Sequence, residues 1–323
     1  MLDLIFLGTS AGMPTRARNV SATALLPSRG KRWCLVDCGE GTQHQLLRTS
    51  LSLNELQAVF ITHVHGDHCY GLPGLLGSAA MSGRTQPLQL IAPAALQGWV
   101  ALTLQMSQGR LPFEIQFQAV ESLGPVVVGE WVVSTVALSH RVPCWAYVFT
   151  EAKPAPRLDV QRLVAEGVPR GPLWGQLAEG RAVSWQGRLL SGDDYRLAGR
   201  AAQRVIICGD NDDPSLLSAA CEGAQVLVHE ATYTQAVLEA GKQDYGHSSA
   251  QAVARMAQQA GVPNLVLTHF SPRYQALPGH GAWVGELEQE AAAHYSGGLW
   301  LARDLSRYHL AGSRLLEVEP AGR

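Results

Sequence analysis

The 323-residue chain has no uninterrupted apolar run of the roughly 18 residues needed to cross a bilayer. Its first residues, Met1-Leu2-Asp3-Leu4, lack the basic segment that opens a secretory signal. Neither a membrane-spanning nor an exported protein is expected, and a cytoplasmic location follows. The six cysteines (Cys34, Cys38, Cys69, Cys144, Cys208, Cys221) include no C-x-x-C pair and sit among apolar neighbours, as buried reduced thiols do. A strong basic excess is missing too. A formal charge of −2 argues against a protein that binds nucleic acid with its whole surface, though not against a local patch. Acidic residues are absent between Asp3 and Asp37, an interval that holds Arg16, Arg18, Arg29, Lys31 and Arg32. No internal repeat or low-complexity tract is evident.

What the chain does have is enough apolar content, 46%, to bury a sizeable core. Apolar and β-branched runs at Leu4 to Leu7, Ala22 to Leu26, Trp33 to Val36 and Val59 to Thr62 read as short strands between glycine-rich turns. Helical patterns fall at Gly41 to Arg48, Leu72 to Met81 and Ala94 to Gln105. Strands resume at Leu88 to Ile91, Phe113 to Val120 and Trp131 to Leu138, so the class is mixed α/β. After Thr150 the composition shifts to Lys153-Pro154-Ala155-Pro156 and then Gly167-Val168-Pro169-Arg170-Gly171-Pro172. Apolar periodicity weakens until a buried strand returns at Arg204 to Cys208. Residues 151–200 therefore read as an inserted arm dividing one domain into parts 1–150 and 201–323. The second part is expected to supply strands at Gln225 to Val228 and Leu265 to Leu267, with helices at Ser248 to Ala260 and near Ala282 to Ala293.

The chemistry is concentrated in Phe60-Ile61-Thr62-His63-Val64-His65-Gly66-Asp67-His68, where an apolar strand ends and three histidines and an aspartate follow within six positions. Neutral imidazole and carboxylate are ligand types that zinc takes, and a loop leaving a strand turns alternate side chains towards one point. Gly66 is expected to let that loop bend sharply. Four ligands are too few for two metals. His140, Asp210 and His269 each directly follow a buried-strand pattern, and strand ends are where α/β folds gather their sites.

The whole chain resembles ribonuclease Z, the 3′-processing endonuclease family of the metallo-β-lactamase superfamily. The resemblance rests on Phe6-Leu7-Gly8-Thr9-Ser10-Ala11-Gly12-Met13-Pro14-Thr15 with Arg18-Asn19-Val20, on Asp37-Cys38-Gly39-Glu40-Gly41-Thr42-Gln43, and on the His63 to His68 motif. Further matches are Gly171-Pro172-Leu173-Trp174-Gly175, His229-Glu230-Ala231-Thr232-Tyr233, Gly246-His247-Ser248-Ser249-Ala250 and Thr268-His269-Phe270-Ser271-Pro272-Arg273-Tyr274.

The resemblance implies an αββα metallo-β-lactamase sandwich, two mixed sheets flanked by helices, with the site at one edge. It implies two Zn2+ per subunit: His63, His65 and His140 on one, Asp67, His68 and His269 on the other, and Asp210 bridging. Asp67 would also orient the nucleophile, and His247, held by Glu230, would protonate the leaving 3′ oxygen. The expected substrate is precursor tRNA, cut to leave a 3′ hydroxyl on the tRNA and a 5′ phosphate on the trailer. The arm is expected to be the tRNA-binding exosite of a homodimer.

Two departures from the family pattern stand out. Asn211 follows Asp210 where threonine or serine is usual, and the arm carries arginines where lysines are common. Its cations are Lys153, Arg157, Arg162, Arg170, Arg181, Arg188, Arg196 and Arg200, and its acids Glu151, Asp159, Glu166, Glu179, Asp193 and Asp194, a net of +2. The segment Pro14 to Asn19 reads either as a phosphate contact or as a turn with its arginines in water. His44, His280, His294 and His309 lack ligand-like company and read as structural. The rival reading is another phosphodiesterase of the superfamily, acting on small phosphodiesters or cyclic nucleotides, because the metal motif does not choose the substrate.

Overall fold

A strand buried on both faces is largely apolar along its length, and Leu2–Gly8 is such a strand apart from Asp3, which pairs with Arg307 and His309. In the computed structural model its Leu2, Leu4 and Phe6 point into one core cluster while Ile5 and Leu7 point into another. The structure describes residues 2–27, 30–154, 157–197, 199, 201–241, 245–279 and 281–318. Arg29, Arg200 and His280, named above, lie outside the described residues. The chain divides into two compact units, one made of residues 1–150 and 204–323 and the other of Glu151–Gln203.

Among the described residues the larger unit contains two mixed sheets. The first has eight strands in the spatial order Arg314–Val318, Arg307–Ala311, Leu2–Gly8, Ala22–Pro27, Trp33–Val36, Leu56–Phe60, Leu88–Ala92 and Ile115–Ala119. Neighbours are antiparallel as far as Trp33–Val36 and parallel beyond it. The second has seven, in the order Gly298–Leu301, Asn264–Thr268, Val226–Glu230, Arg204–Cys208, Cys144–Glu151, Trp131–Leu138 and Val126–Val128.

The two-residue period of the strands sorts side chains into layers. Val205 and Ile207 join Leu4, Phe6 and Phe60 between the sheets, whereas Ile206 and Cys208 face the helices Ala250–Gln259 and Gly285–Ala292. On the opposite outer face the helices Leu72–Met81 and Ala95–Met106 cover Leu35, Val59 and Leu90. The expected αββα sandwich is the architecture observed. Phe60 packs edge-on against Tyr147 and Phe149 across the inter-sheet space, and the Tyr147 hydroxyl donates to the Ile61 carbonyl at 2.7 Å. That bond ties the second sheet to the first two residues before His63.

Local chemistry explains the element boundaries. Ala250–Gln259 is amphipathic, burying Ala250, Val253, Ala254 and Ala257 at helical spacing, and the Ser249 hydroxyl caps it by accepting from Ala252 N. The helix expected from Gly41 shortens to Thr42–Leu46, because Gly41 sits at φ 75°, outside helical space. The strand expected at Val59 to Thr62 instead spans Leu56–Phe60, and Thr62 is engaged by Asp37. Pattern alone does not predict Cys144–Glu151, Gly298–Leu301, Arg307–Ala311 or Arg314–Val318. Of the last two, Arg307–Ala311 alternates buried Tyr308 and Leu310 with half-exposed neighbours, and Arg314–Val318, at the sheet edge, buries only Leu315.

Within Glu151–Gln203, helices Val160–Ala165 and Pro172–Ala178 and the hairpin Val183–Trp185/Arg188–Leu190 enclose a small core of Leu163, Val168, Leu177, Val183, Leu190 and Tyr195. The hairpin turns at Gln186 and Gly187, both at positive φ, the pairing that suits the right-handed twist of two-residue hairpins. Glu166 gathers three donors from this unit: Arg162 Nε, Arg188 and the Tyr195 hydroxyl.

Candidate metal centre

Each residue singled out at a strand end lies at the same edge of the sandwich. His63 and His65 leave the end of Leu56–Phe60, His140 follows Trp131–Leu138, Asp210 follows Arg204–Cys208 and His269 follows Asn264–Thr268. Asp67 and His68 sit in the single turn Gly66–Cys69. Gly66 is not needed for a sharp bend, since its φ is not positive. A side chain there would collide with the Tyr70 ring, 2.3 Å from an added Cβ.

The side chains form two donor sets. His63, His65, His140 and Asp210 each offer one ligand atom, all within 4.8 Å of one another, and so do Asp67, His68 and His269. Asp210 faces both sets: its Oδ2 is 3.6 Å from Nε2 of His63 and of His140, and its Oδ1 is 3.3 Å from Nε2 of His68 and of His269.

The outward ring nitrogens fix which atoms face inward. His140 Nδ1 donates to the Gly246 carbonyl at 2.7 Å. Gly246 is at φ 72°, and an added Cβ would stand 2.9 Å from that nitrogen, so only glycine fits. His63 Nδ1 lies 3.0 Å from the Thr62 hydroxyl, His68 Nδ1 donates to Asp37 Oδ2 at 2.7 Å, and His269 Nδ1 lies 3.0 Å from the Thr232 hydroxyl. The inward Nε2 atoms of His63 and His140 then carry lone pairs, and both lie 3.1 Å from His65 Nδ1. Three nitrogens cannot satisfy one another at that spacing, since His65 Nδ1 donates at most one proton. Convergent imidazole lone pairs beside a shared carboxylate fit a metal cofactor.

Burial and the neighbouring His68 push the His63 pKa well below its ordinary value, which keeps the imidazole in the neutral form that a metal would take. Burial works against ionised Asp210, but the surrounding histidines hold its carboxyl well below the usual range. Asp67 is held low as well, with His68 and His269 overcoming its desolvation. Its Oδ2 also accepts the Gly12 amide at 2.7 Å.

Beside the two sets lies the pair His247 and Glu230. His247 Nδ1 is 3.0 Å from Glu230 Oε1 and 3.8 Å from Asp210 Oδ2. Burial disfavours the charged imidazole, yet the Glu230 carboxylate outweighs it and lifts the His247 pKa to about 9. Glu230 is buried and also accepts from Asn211 N and the Thr232 hydroxyl. His247, Asp67, His65 and His140 line a cleft of about 230 Å³ together with Tyr233.

Several contributors acquire a role only in the fold. Asp37, at φ 61°, accepts from Thr62 N, the Thr62 hydroxyl and His68 Nδ1, and so supports one candidate ligand of each set. Thr232 links His269 to Glu230. Asn211 is a clamp: its side-chain oxygen accepts from Ser139 N and its amide meets His229 Nε2. Arg18 fits neither reading of its segment. It is buried, donates to the Tyr274 carbonyl and lies over the Phe270 ring. Of the histidines read as structural, His309 pairs with Asp3, His294 meets Gln251 and His44 is exposed.

Comparison with known proteins agrees with this geometry. A family model described as anti-Pycsar protein Apyc1 matches residues 2–115, a segment that contains the His63 to His68 motif. Over 309 residues the chain is 62% identical to ribonuclease Z of Pseudomonas putida (strain W619), covering 96% of each. Among solved structures it resembles the short form of human tRNase Z, with 25% identity, a TM-score of 0.65, and coverage of 94% of this chain and 98% of that one. It also resembles the metallo-β-lactamase fold protein YhfI from Bacillus subtilis, with 19% identity, a TM-score of 0.63, and coverage of 95% and 98%. The second likeness bears on the fold alone.

Proposed function

The chain belongs to the ribonuclease Z family, and from that membership and the geometry of its donor sets we propose a zinc-dependent endoribonuclease that removes the 3′ trailer from precursor tRNA in the cytoplasm. The products would be a 3′ hydroxyl on the tRNA and a 5′ phosphate on the trailer. The observation that carries this reading is Asp210, which turns one carboxylate oxygen to each donor set while His247 and Glu230 stand beside it. His63, His65 and His140 would hold one zinc, Asp67, His68 and His269 the other, and Asp210 both. When bound, such a pair neutralises charge on the scissile phosphate and makes water acidic enough to attack at neutral pH.

The chain's own residues supply the rest. Asp67, fixed by the Gly12 amide, orients the attacking water as a hydrogen-bond acceptor. His247 directs Nδ1 to Glu230, which leaves Nε2 to give a proton to the departing 3′ oxygen. Buried Glu230 keeps that imidazole oriented and charged. Thr232 and Asn211 fix Glu230 in turn.

The unit Glu151–Gln203 is the candidate tRNA exosite. Four of its arginines, Arg162, Arg181, Arg188 and Arg196, pair with acids of the same unit. Such exposed pairs contribute little, so phosphates can replace the acids. A homodimer is supported by the outer helices Leu72–Met81 and Ala95–Met106. Neither contains a charged residue, and Met81, Leu102 and Met106 are exposed.

The test is cleavage of precursor tRNA carrying a 3′ trailer by purified protein, with and without prior zinc chelation, followed by mapping of both product ends. Cleavage at the base of the trailer, lost on chelation and restored by zinc, is expected. Failure by folded, zinc-loaded protein that still hydrolyses a small phosphodiester would favour the rival reading. Replacing residues 151–203 with a short linker separates the two again, since only tRNA cleavage should collapse. Among the described residues no helix is long and apolar enough to cross a membrane.

A further inference from the structure

At the edge of the sandwich opposite the metal centre, where the strands Leu56–Phe60 and Leu88–Ala92 begin, lies a larger cleft of about 570 Å³. That volume suits a small-molecule ligand. Polar groups dominate its lining, with Arg32, Arg84, Glu55 and the carboxamides of Gln57, Gln89 and Gln116 beside Leu56, Pro87 and Val128.

Two observations mark it as more than a surface dent. The first is Gln89. In its strand Leu88, Leu90 and Ala92 face the helices and Ile91 faces the inter-sheet core, so Gln89 occupies a position where the fold elsewhere buries an apolar group. Its Oε1 is buried without a hydrogen-bond partner, and its register partner on the next strand is a second carboxamide, Gln116. An acceptor at that position is met by whatever occupies the cleft, water or the hydroxyl of a ligand.

The second is Arg84, only 3% exposed. Its Nε and two terminal nitrogens donate to the carbonyls of Gln86, Leu53 and Pro87, and its guanidinium lies over the Phe113 ring. Among the described residues it has no carboxylate partner, and burial alone shifts its pKa, downward. A guanidinium has five N–H groups, so two remain after those three bonds. Arg32 adds a further cation at the rim, against the single acid Glu55. The cleft therefore offers net positive charge and spare cationic donors beside an acceptor that lacks a donor. A fully deprotonated oxyanion such as sulfate answers the first need and not the second, and inorganic phosphate has only its own P–OH to offer. A phosphate ester that also carries hydroxyl groups answers both.

We propose that this cleft binds a small phosphorylated polyol, with the phosphate between Arg84 and Arg32 and a hydroxyl donating to Gln89 Oε1. The residues involved are separate from the metal-binding strand ends, so the site is independent of the proposed tRNA cleavage and stands or falls apart from it.

The test is calorimetric titration of the full-length, zinc-loaded protein with ribose 5-phosphate, and separately with inorganic phosphate and ribose. Because a zinc centre also attracts phosphate, the variants assign the site. Gln89→Leu, which removes the unmet acceptor and should fold at least as well as the parent, is expected to weaken ribose 5-phosphate binding by about tenfold, the loss of roughly one hydrogen bond. Arg32→Ala should weaken both ribose 5-phosphate and inorganic phosphate. Neither substitution should change precursor tRNA cleavage. Absence of saturable binding at millimolar ribose 5-phosphate would overturn the proposal. So would binding that Gln89→Leu and Arg32→Ala leave unchanged, which would assign it to the zinc centre, or equal affinity for inorganic phosphate and ribose 5-phosphate, which would remove the hydroxyl contact.

Discussion

Asp37→Asn removes no ligand, yet it should strip metal from both donor sets. Oδ1 of Asp37 accepts from Thr62 N at 2.8 Å, a bond that asparagine retains with its own oxygen. Oδ2 accepts from His68 Nδ1 at 2.7 Å and from the Thr62 hydroxyl at 3.0 Å, and asparagine places an NH2 group there. In the metal-free protein both contacts can be rebuilt by reversing donor and acceptor. His68 gives up its Nδ1 proton and keeps one on Nε2 so that Nδ1 accepts, and the Thr62 hydroxyl turns to donate to His63 Nδ1. Asparagine also tolerates the φ of 61° at this position. The cost to metal-free stability is therefore about 1 kcal/mol. Metal binding has no such escape, because the rearranged tautomers put protons on Nε2 of His63 and His68, the atoms that must face the ion. Loss of an outer partner of a metal-bound histidine typically costs about 10- to 100-fold in affinity, or ~1.4–2.7 kcal/mol, and here each set loses one. Zinc retention against a competing chelator, read beside thermal melts of the metal-free protein, separates the two effects. Zinc affinity within about twofold of the parent would refute the argument, and a collapsed metal-free melt would show that the donor–acceptor reversal does not occur.

Glu230→Gln should lower kcat on precursor tRNA by roughly 10²-fold or more with little change in KM, because general acid catalysis contributes on that scale; steady-state kinetics that move only KM would contradict the role given to His247. Burial raises the thiols of Cys34 and Cys69 to about 12 and of Cys221 to about 11. A raised thiol pKa means the protonated, unreactive form persists, so iodoacetamide should label none of these cysteines in the native protein at pH 8 and all six cysteines of the chain in urea. Mass spectrometry that found native labelling would place those sulfurs at the surface. Leu163→Ala, at the centre of the core of Glu151–Gln203, should cost about 2–4 kcal/mol. Limited proteolysis should then cut within that unit while the sandwich keeps its thermal transition.

The candidate ligand positions are legible because a histidine or aspartate directly after an apolar run is conspicuous: strands packed between a sheet and helices are largely apolar, so polar groups gather at their ends. Asp37 was not legible. In Asp-Cys-Gly-Glu-Gly it reads as a turn residue, and its partner His68 is 31 positions away. The internal packing of Glu151–Gln203 was hidden for a related reason. Its six core side chains are spread from Leu163 to Tyr195 among prolines, glycines and charges, so no window of the sequence shows a period. The strands Arg307–Ala311 and Arg314–Val318, the second of them at the sheet edge, escape notice because only Tyr308, Leu310 and Leu315 among their residues are fully buried.

Asn211 shows how a local departure from a family pattern acquires meaning only in three dimensions. As a neighbour of Asp210 it looks incidental. In the fold its carboxamide joins Ser139, just before His140, to His229, just before Glu230, and its backbone amide binds Glu230 itself. A threonine has one oxygen and no amide group, so it cannot reach both Ser139 N and His229 Nε2 in the same way. The positions of Asp210 and of the His247–Glu230 pair are thus linked through one side chain. A change at Asn211 should be felt at the metal centre and at His247 together.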